Sequence, residues 1–318
     1  MDFDAVLARK RDRLLADFDV SGLRGVEIGP LSRPLVKRAE SDVYYIDHCS
    51  TEDLRKKYAD DPAAHPEKIE DVDFVWADQP LVALLGDKVP VDYIVASHVI
   101  EHVPDLVGWL KEMSDALKVG GRLLLIVPDK RFTFDIYRRL SSIEEVSLAF
   151  LERRRRPGLR CIMDHFSNAV SADTWALWDN YKLADDLKYF HGVEYLDIAY
   201  QHFHEGRYID VHCWVFTPWS FLELMGKIIS SFGLEFELAR FLTTQDHDLE
   251  FYVQLVKKKG PSTGWAEASS KAFETAIWPN SAMPTVPADG LYRSVAAALH
   301  QSVWIRLRTL SRKLLSFR

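Results

Sequence analysis

Six polar residues, Glu27, Asp47, Asp78, Ser97, His98 and Asp129, each stand at the end of an apolar, β-forming run. Carboxylates in such places repel phosphate and suit a cationic ligand, an ammonium or a sulfonium. The first of them lies in Arg24-Gly25-Val26-Glu27-Ile28-Gly29-Pro30, a strand that runs into a glycine turn. Such a turn aims backbone N–H groups at whatever sits above it. The second and third glycines of a dinucleotide-binding loop are absent. A hydroxyl nucleophile that keeps its proton is poor, so a neutral imidazole or a carboxylate is needed as base. His98, Asp129, His165 and His212 are the candidates, with Lys130 and Arg131 as cations at the rim for a substrate. His202, His204 and Asp210 match no metal-binding spacing. Neither CxxC nor HExxH occurs, so no metal site is expected.

These residues need a scaffold that brings strand ends together, and the pattern supplies one. Residues 24–28, 43–47, 73–76, 91–97 and 122–127 read as five strands, separated by turn and helix signals. The last of them is continuously apolar, as in a strand covered on both faces. Helices are expected over 4–17, over 51–58 with Thr51 as cap, and over 104–117 between Pro104 and the Gly120-Gly121 turn. Alternation of this kind gives a parallel sheet, and ligands of such sheets sit at the carboxyl ends of the strands. After an irregular stretch over 130–213, Thr217-Pro218 opens a helix that Gly233 ends, and 236–242 and 251–256 read as two further strands.

The net charge of −7 argues against nucleic acid as the main partner. The only contrary feature is the basic run Arg153 to Arg156. There is no apolar run of about 20 residues to span a membrane, and the acidic start, Met1 to Asp4, does not resemble a signal peptide. Three widely spaced cysteines, Cys49, Cys161 and Cys213, fit a reducing cytoplasm.

The strand-end acids together resemble those of the class I S-adenosylmethionine-dependent methyltransferases, over residues 24–128 and 217–257. Val26-Glu27-Ile28-Gly29 resembles the family's first motif, Val95 to Pro104 its fourth-strand signature, and Leu117 to Leu123 its glycine turn into strand five. The resemblance implies S-adenosyl-L-methionine as cofactor. Glu27, Gly29 and Pro30 would lie at its methionine end, Asp47 and His48 at the ribose, Trp76, Ala77 and Asp78 at the adenine, and Ser97 and His98 beside it. It implies a doubly wound, Rossmann-like α/β sheet of seven strands with the last pair antiparallel. Pro128 to Asp135 and Asp210 to Pro218 are similar to methyltransferases of bacterial surface-glycan synthesis. That implies a sugar or glycan acceptor, with Trp175, Trp178, Tyr181, Tyr189, Tyr195 and Tyr208 as materials for stacking on sugar rings.

The expected organisation is an N-terminal helix (1–20), a cofactor-binding core (21–129), a substrate-facing insert of mixed structure (130–213), the remainder of the core (214–259), a linker (260–290) and a basic amphipathic tail (291–318). The tail would rest on an anionic membrane surface, or dock on the domain or a second subunit. The expected activity is O-methylation of a sugar hydroxyl in the cytoplasm, or at the inner membrane face. A small-molecule or lipid methyltransferase, and a non-catalytic scaffold for a glycosyltransferase partner, are the alternatives.

Overall fold

The computed structural model of the chain describes residues 3–273, apart from 62, 63, 261 and 263. The strands β1 (Arg24–Ile28), β2 (Asp42–Asp47), β3 (Phe74–Val75), β4 (Val91–Ser97) and β5 (Leu117–Pro128) run parallel. The strand β6 (Phe236–Leu242) pairs with β7 (Glu250–Lys257), which is antiparallel to both β5 and β6. They form one sheet in the order β3-β2-β1-β4-β5-β7-β6. This is the class I methyltransferase, Rossmann-like fold the sequence predicted.

Side chains alternate across a strand, and the burial pattern follows. Val26, Ile28, Ile46, Ile94, Ala96, Leu123, Leu125 and Val127 enter one core, while Val43, Tyr45, Tyr93, Val95, Leu124 and Ile126 enter the other. The helix α1 (Phe3–Leu15) covers the second face through Leu14. The helix α2 (Thr51–Lys57) follows β2, capped by Ser50, whose hydroxyl accepts from Asp53 N at 3.2 Å, one residue before the expected cap. The first face takes α3 (Leu81–Leu85) and α4 (Leu106–Ala116), with Asp105 as the α4 cap.

The insert is helical. Its helices are α5 (Ile143–Leu151), α6 (Leu159–Asn168), α7 (Thr174–Asp179) and α8 (Glu194–His204). The helix α5 belongs to the main core through Val146 and Ala149, while α6 and α8 pack on each other through Ile162 and Ala199. His202 and His204 lie on α8, so at 100° per residue they point to different sides of it. The helix α9 (Pro218–Phe232) has the predicted start and stop: Thr217 and Ser220 form a capping box, and Gly233 at φ 64° takes the left-handed end. The predicted linker is not loop throughout, because α10 (Trp265–Phe273) docks on the core, its Trp265 indole donating to Leu222 O at 3.0 Å. The part of that linker beyond Phe273 and the basic tail, 291–318, lie outside the described residues. No described helix is long and apolar enough to cross a membrane.

Gly25 pairs with Tyr93 across β1 and β4, and the Tyr93 ring lies over the space a Cβ would take. That ring is fixed by a 2.5 Å hydrogen bond between its hydroxyl and Ser41 Oγ. Gly25→Ala is therefore expected to lower the unfolding free energy by about 1–3 kcal/mol, the usual cost of overpacking, in urea denaturation. Unchanged stability would show that the ring can move aside.

Candidate active site

The parallel register lines up the carboxyl ends of four strands. Ile28 is level with Ile46 and Ala96, and Asp47 with Val75. Beyond Ile28 the chain turns at Gly29, φ 67°, where its N–H donates to Ile46 O at 2.8 Å. Adjacent strands are about 4.8 Å apart, so Asp47, the Gly29 turn and Ser97 form a continuous rim. Asp47 is 6% exposed. Its Oδ1 accepts from the backbone N–H of His48 at 2.7 Å and lies 2.5 Å from His48 Nδ1. Among the described residues nothing is hydrogen-bonded to its Oδ2. Beside it, Trp76 is half-buried, its indole donating to Gln79 O at 3.0 Å, and Ala77 and Asp78 are exposed.

Glu27 is not a free acceptor, contrary to the sequence reading. It is 2% exposed, and its two oxygens accept from the backbone N–H groups of Leu35 at 2.8 Å and Val36 at 3.0 Å. Burial pushes its pKa up to about 7, against those two hydrogen bonds. Its work is to fasten the loop that follows Gly29. Pro30 is buried within that loop.

Two candidate bases are already committed. His98 follows β4 at φ 53°, with Nε2 2.7 Å from Glu250 Oε2 and Nδ1 3.5 Å from Glu101 Oε1. Burial alone would lower its pKa, but the two carboxylates outweigh it and push it up to about 9, so at neutral pH the ring is a cation and accepts no proton. Asp129 has no exposure and takes the Arg131 guanidinium (Nη2 to Oδ2, 2.6 Å) and the Thr244 hydroxyl (2.7 Å). That pairing also removes Arg131 from substrate binding, since it is 8% exposed. Lys130 is half-buried, and no described group is bonded to its ammonium.

The other two candidates are neutral or partnered imidazoles. His165, on α6, is pushed down to about 4 by burial and by nearby Arg138, and its Nδ1 has no partner among the described residues. His212 Nδ1 lies 2.5 Å from Asp135 Oδ2, and Asp135 Oδ1 accepts from Arg138 at 2.8 Å. The His212 ring meets that of His102 at 4.7 Å and 89°, and His102 Nδ1 lies 2.8 Å from Asp210 Oδ1. The backbone N–H groups of Cys213 and Trp214 donate to Glu101 O at 2.6 and 3.1 Å, which staples this end of the insert to the residues after β4.

Glu250 was missed by sequence reasoning, although it organises the rim. It has no exposure, and it binds His98, Lys10 (2.7 Å) and the Tyr252 hydroxyl (2.8 Å). Burial would raise its pKa, but His98 and Lys10 hold it at about 2. Its only sequence signal is a carboxylate opening an apolar strand. Asp135, Glu101, His102 and Asp210 were likewise outside the predicted site.

A doubly wound sheet with an acid at the end of β2, a glycine turn after β1 and a charged rim is an arrangement in which such sheets bind nucleotides or nucleosides at their carboxyl edge. The methyltransferase domain model matches residues 3–227, and the chain belongs to that family. Its methyl donor is S-adenosylmethionine. The rim fits that group: it offers one unspent, partly buried carboxylate oxygen, on Asp47, beside half-buried Trp76 and exposed Ala77 and Asp78. Similar solved structures include the magnesium protoporphyrin IX methyltransferase of Synechocystis PCC 6803 with bound S-adenosylmethionine, 12% identical over 80% of each chain with a TM-score of 0.35. Another is human N-acetylserotonin methyltransferase, 14% identical over 81% of this chain and 54% of that one, with a TM-score of 0.36. No curated protein matches the sequence.

The charged rim sets a pH dependence. Glu250 has a folded pKa of about 2, below its unfolded value, so its contribution is present above about pH 4 and is lost as the pH falls toward 2. His98 is raised, so its contribution is complete below about pH 6.5 and is lost as the pH rises through about 9. Denaturant unfolding should show about 1–2 kcal/mol less stability at pH 9.5 than at pH 6.5. His98→Gln should flatten that slope. An identical slope in the variant would detach His98 from the effect.

Proposed function

We propose that the protein transfers the methyl group of S-adenosylmethionine to a hydroxyl oxygen of a sugar in surface-glycan synthesis. In this reading Asp47 Oδ2 accepts from the ribose hydroxyls, and Trp76, Ala77 and Asp78 border the adenine. The backbone after Gly29 cradles the methionine end, with Ser97 and His98 flooring the cleft. Bound there, the donor supplies an electrophilic methyl on a sulfonium.

The protein's own part is to hold the acceptor oxygen in line with that methyl, which supplies much of the rate. The O–CH3 bond forms as the S–CH3 bond breaks with its electron pair going to sulfur, and the hydroxyl proton leaves to an imidazole. The observation that carries the oxygen chemistry is the His102–His212 pair, each ring holding a carboxylate at Nδ1. That arrangement leaves the opposite nitrogen as the proton acceptor. Sugar as the acceptor class is supported by exposed aromatics on the insert: Trp175 (51%), Tyr189 (57%), Tyr195 (42%) and Tyr208 (58%). Trp178 and Tyr181 do not join them, because both pack with Phe132 in a small core of the insert.

The test is transfer of isotope-labelled methyl to nucleotide sugars and glycan fragments. The expected product carries an alkali-stable methyl ether on the sugar. His212→Ala should lower kcat by about 10²–10⁴, while Trp175→Ala and Tyr189→Ala should raise KM several-fold with kcat held. Label found only in alkali-labile esters, or only on a lipid or a non-sugar metabolite, would contradict the reading.

A further inference from the structure

Glu101 is a carboxylate with no solvent exposure, and neither of its oxygens has a hydrogen-bond partner among the described residues. His98 Nδ1 forms an ion pair with it at 3.5 Å, outside hydrogen-bond geometry. Buried carboxylates are ordinarily paired or bound to a metal, and besides the ion pair with His98 this one lies beside two further imidazoles, those of His102 and His212. A donor atom from each of Glu101, His102 and His212 lies within 4.8 Å of the others.

The imidazoles are prepared as ligands are. His102 gives Nδ1 to Asp210 at 2.8 Å and His212 gives Nδ1 to Asp135 at 2.5 Å, leaving the other ring nitrogen of each without a described partner. Metal-binding histidines almost always place their second nitrogen on a carboxylate or carbonyl in this way, which fixes the tautomer and the ring. Asp135 is itself fixed by Arg138, which also reaches Asp164 at 3.0 Å. The sequence gives no cue, because two of the ligands are adjacent and the third is more than a hundred residues away. The backbone bonds from Cys213 and Trp214 to Glu101 O bring them together.

We infer that Glu101, His102 and His212 form a binding site for one divalent transition-metal ion, with Asp210 and Asp135 as the supporting carboxylates. Two imidazoles and one carboxylate suit zinc, cobalt, iron or manganese rather than magnesium or calcium, which prefer all-oxygen sites. Ligands about 2.1 Å from one ion lie roughly 3–3.5 Å apart, so the three groups close in slightly on binding. Three protein ligands leave positions open to water or to an acceptor oxygen. Occupancy of the site is independent of the proposed function. Its use there rests on that reading: with the ion bound, the acceptor hydroxyl would coordinate it and lose its proton to solvent water, and without the ion the free imidazole nitrogens accept that proton directly.

The test uses the full chain, stripped with a chelator and then titrated with Co2+, followed by its visible spectrum, and with Zn2+ in calorimetry. One equivalent should bind, with Zn2+ displacing Co2+. His102→Ala and His212→Ala should abolish the spectrum, and Asp135→Asn should weaken binding by about 10–100-fold. Zn2+ should raise the Tm of the wild type and leave that of Glu101→Gln, a near-isosteric change, unmoved. No uptake by the wild type, or equal uptake and equal Tm shifts in the variants, would overturn the site. Titrating the same samples with S-adenosylhomocysteine separates this outcome from failure of the methyltransferase reading, because the metal-site variants should still bind it.

Discussion

A carboxylate removed from water must have its charge met from within the protein or carry a large desolvation cost. That constraint explains most of what lies at the carboxyl edge of the sheet. Glu250 meets it with His98, Lys10 and Tyr252, thereby joining β4, β7 and α1 at one point. Asp129 meets it with Arg131 and Thr244, Asp135 with Arg138 and His212, and Asp248 with Arg13 and the N–H of Leu249. Glu27 meets it with the loop that carries the glycine turn. Among the described buried carboxylates, two keep oxygens unspent: Asp47 and Glu101. One faces the place where a ribose would lie, and the other has the 3.5 Å ion pair with His98 and two further imidazoles beside it.

The same network explains why His98 is held in a left-handed backbone conformation, which costs a non-glycine residue roughly 1–3 kcal/mol. Its N–H donates to Ile126 O at 3.0 Å, and its ring is fixed by Glu250. The turn after β4 is thereby tied through both backbone and side chain, immediately before Glu101 and His102. The insert contributes the opposite wall through His212. The site is thus assembled from the core and the insert together, and their boundary runs through it.

The strands were legible because their signal is local. Apolar runs that end in Glu27, Asp47 and Ser97 needed only their own residues to be read, and Thr217 with Pro218 and Gly233 marked α9 at both ends. The roles of the acids were much less legible. Glu27 sits where a ligand contact was expected, yet its partners are Leu35 and Val36, which carry no side-chain signal of that bond. Glu250 meets His98 across 152 positions, and His212 meets Asp135 across 77. Separations of that size leave no periodicity in the sequence. His202 and His204, two apart, would share a face only on a strand, and Glu194–His204 folds as a helix, with Ala199 packed against Ile162. Pairing of charges, which decides which acids are free, is a tertiary property.

The proposed hold on the methyl donor depends most on the open oxygen of Asp47. Calorimetric titration with S-adenosylhomocysteine tests it most directly, on the wild type and on Asp47→Ala. Binding in the micromolar range, on the order of −7 to −8 kcal/mol, is expected for the wild type, with a loss of about 10–100-fold in the variant and little change in its Tm. Absence of binding to the wild type, or equal affinity in the two proteins, would contradict it.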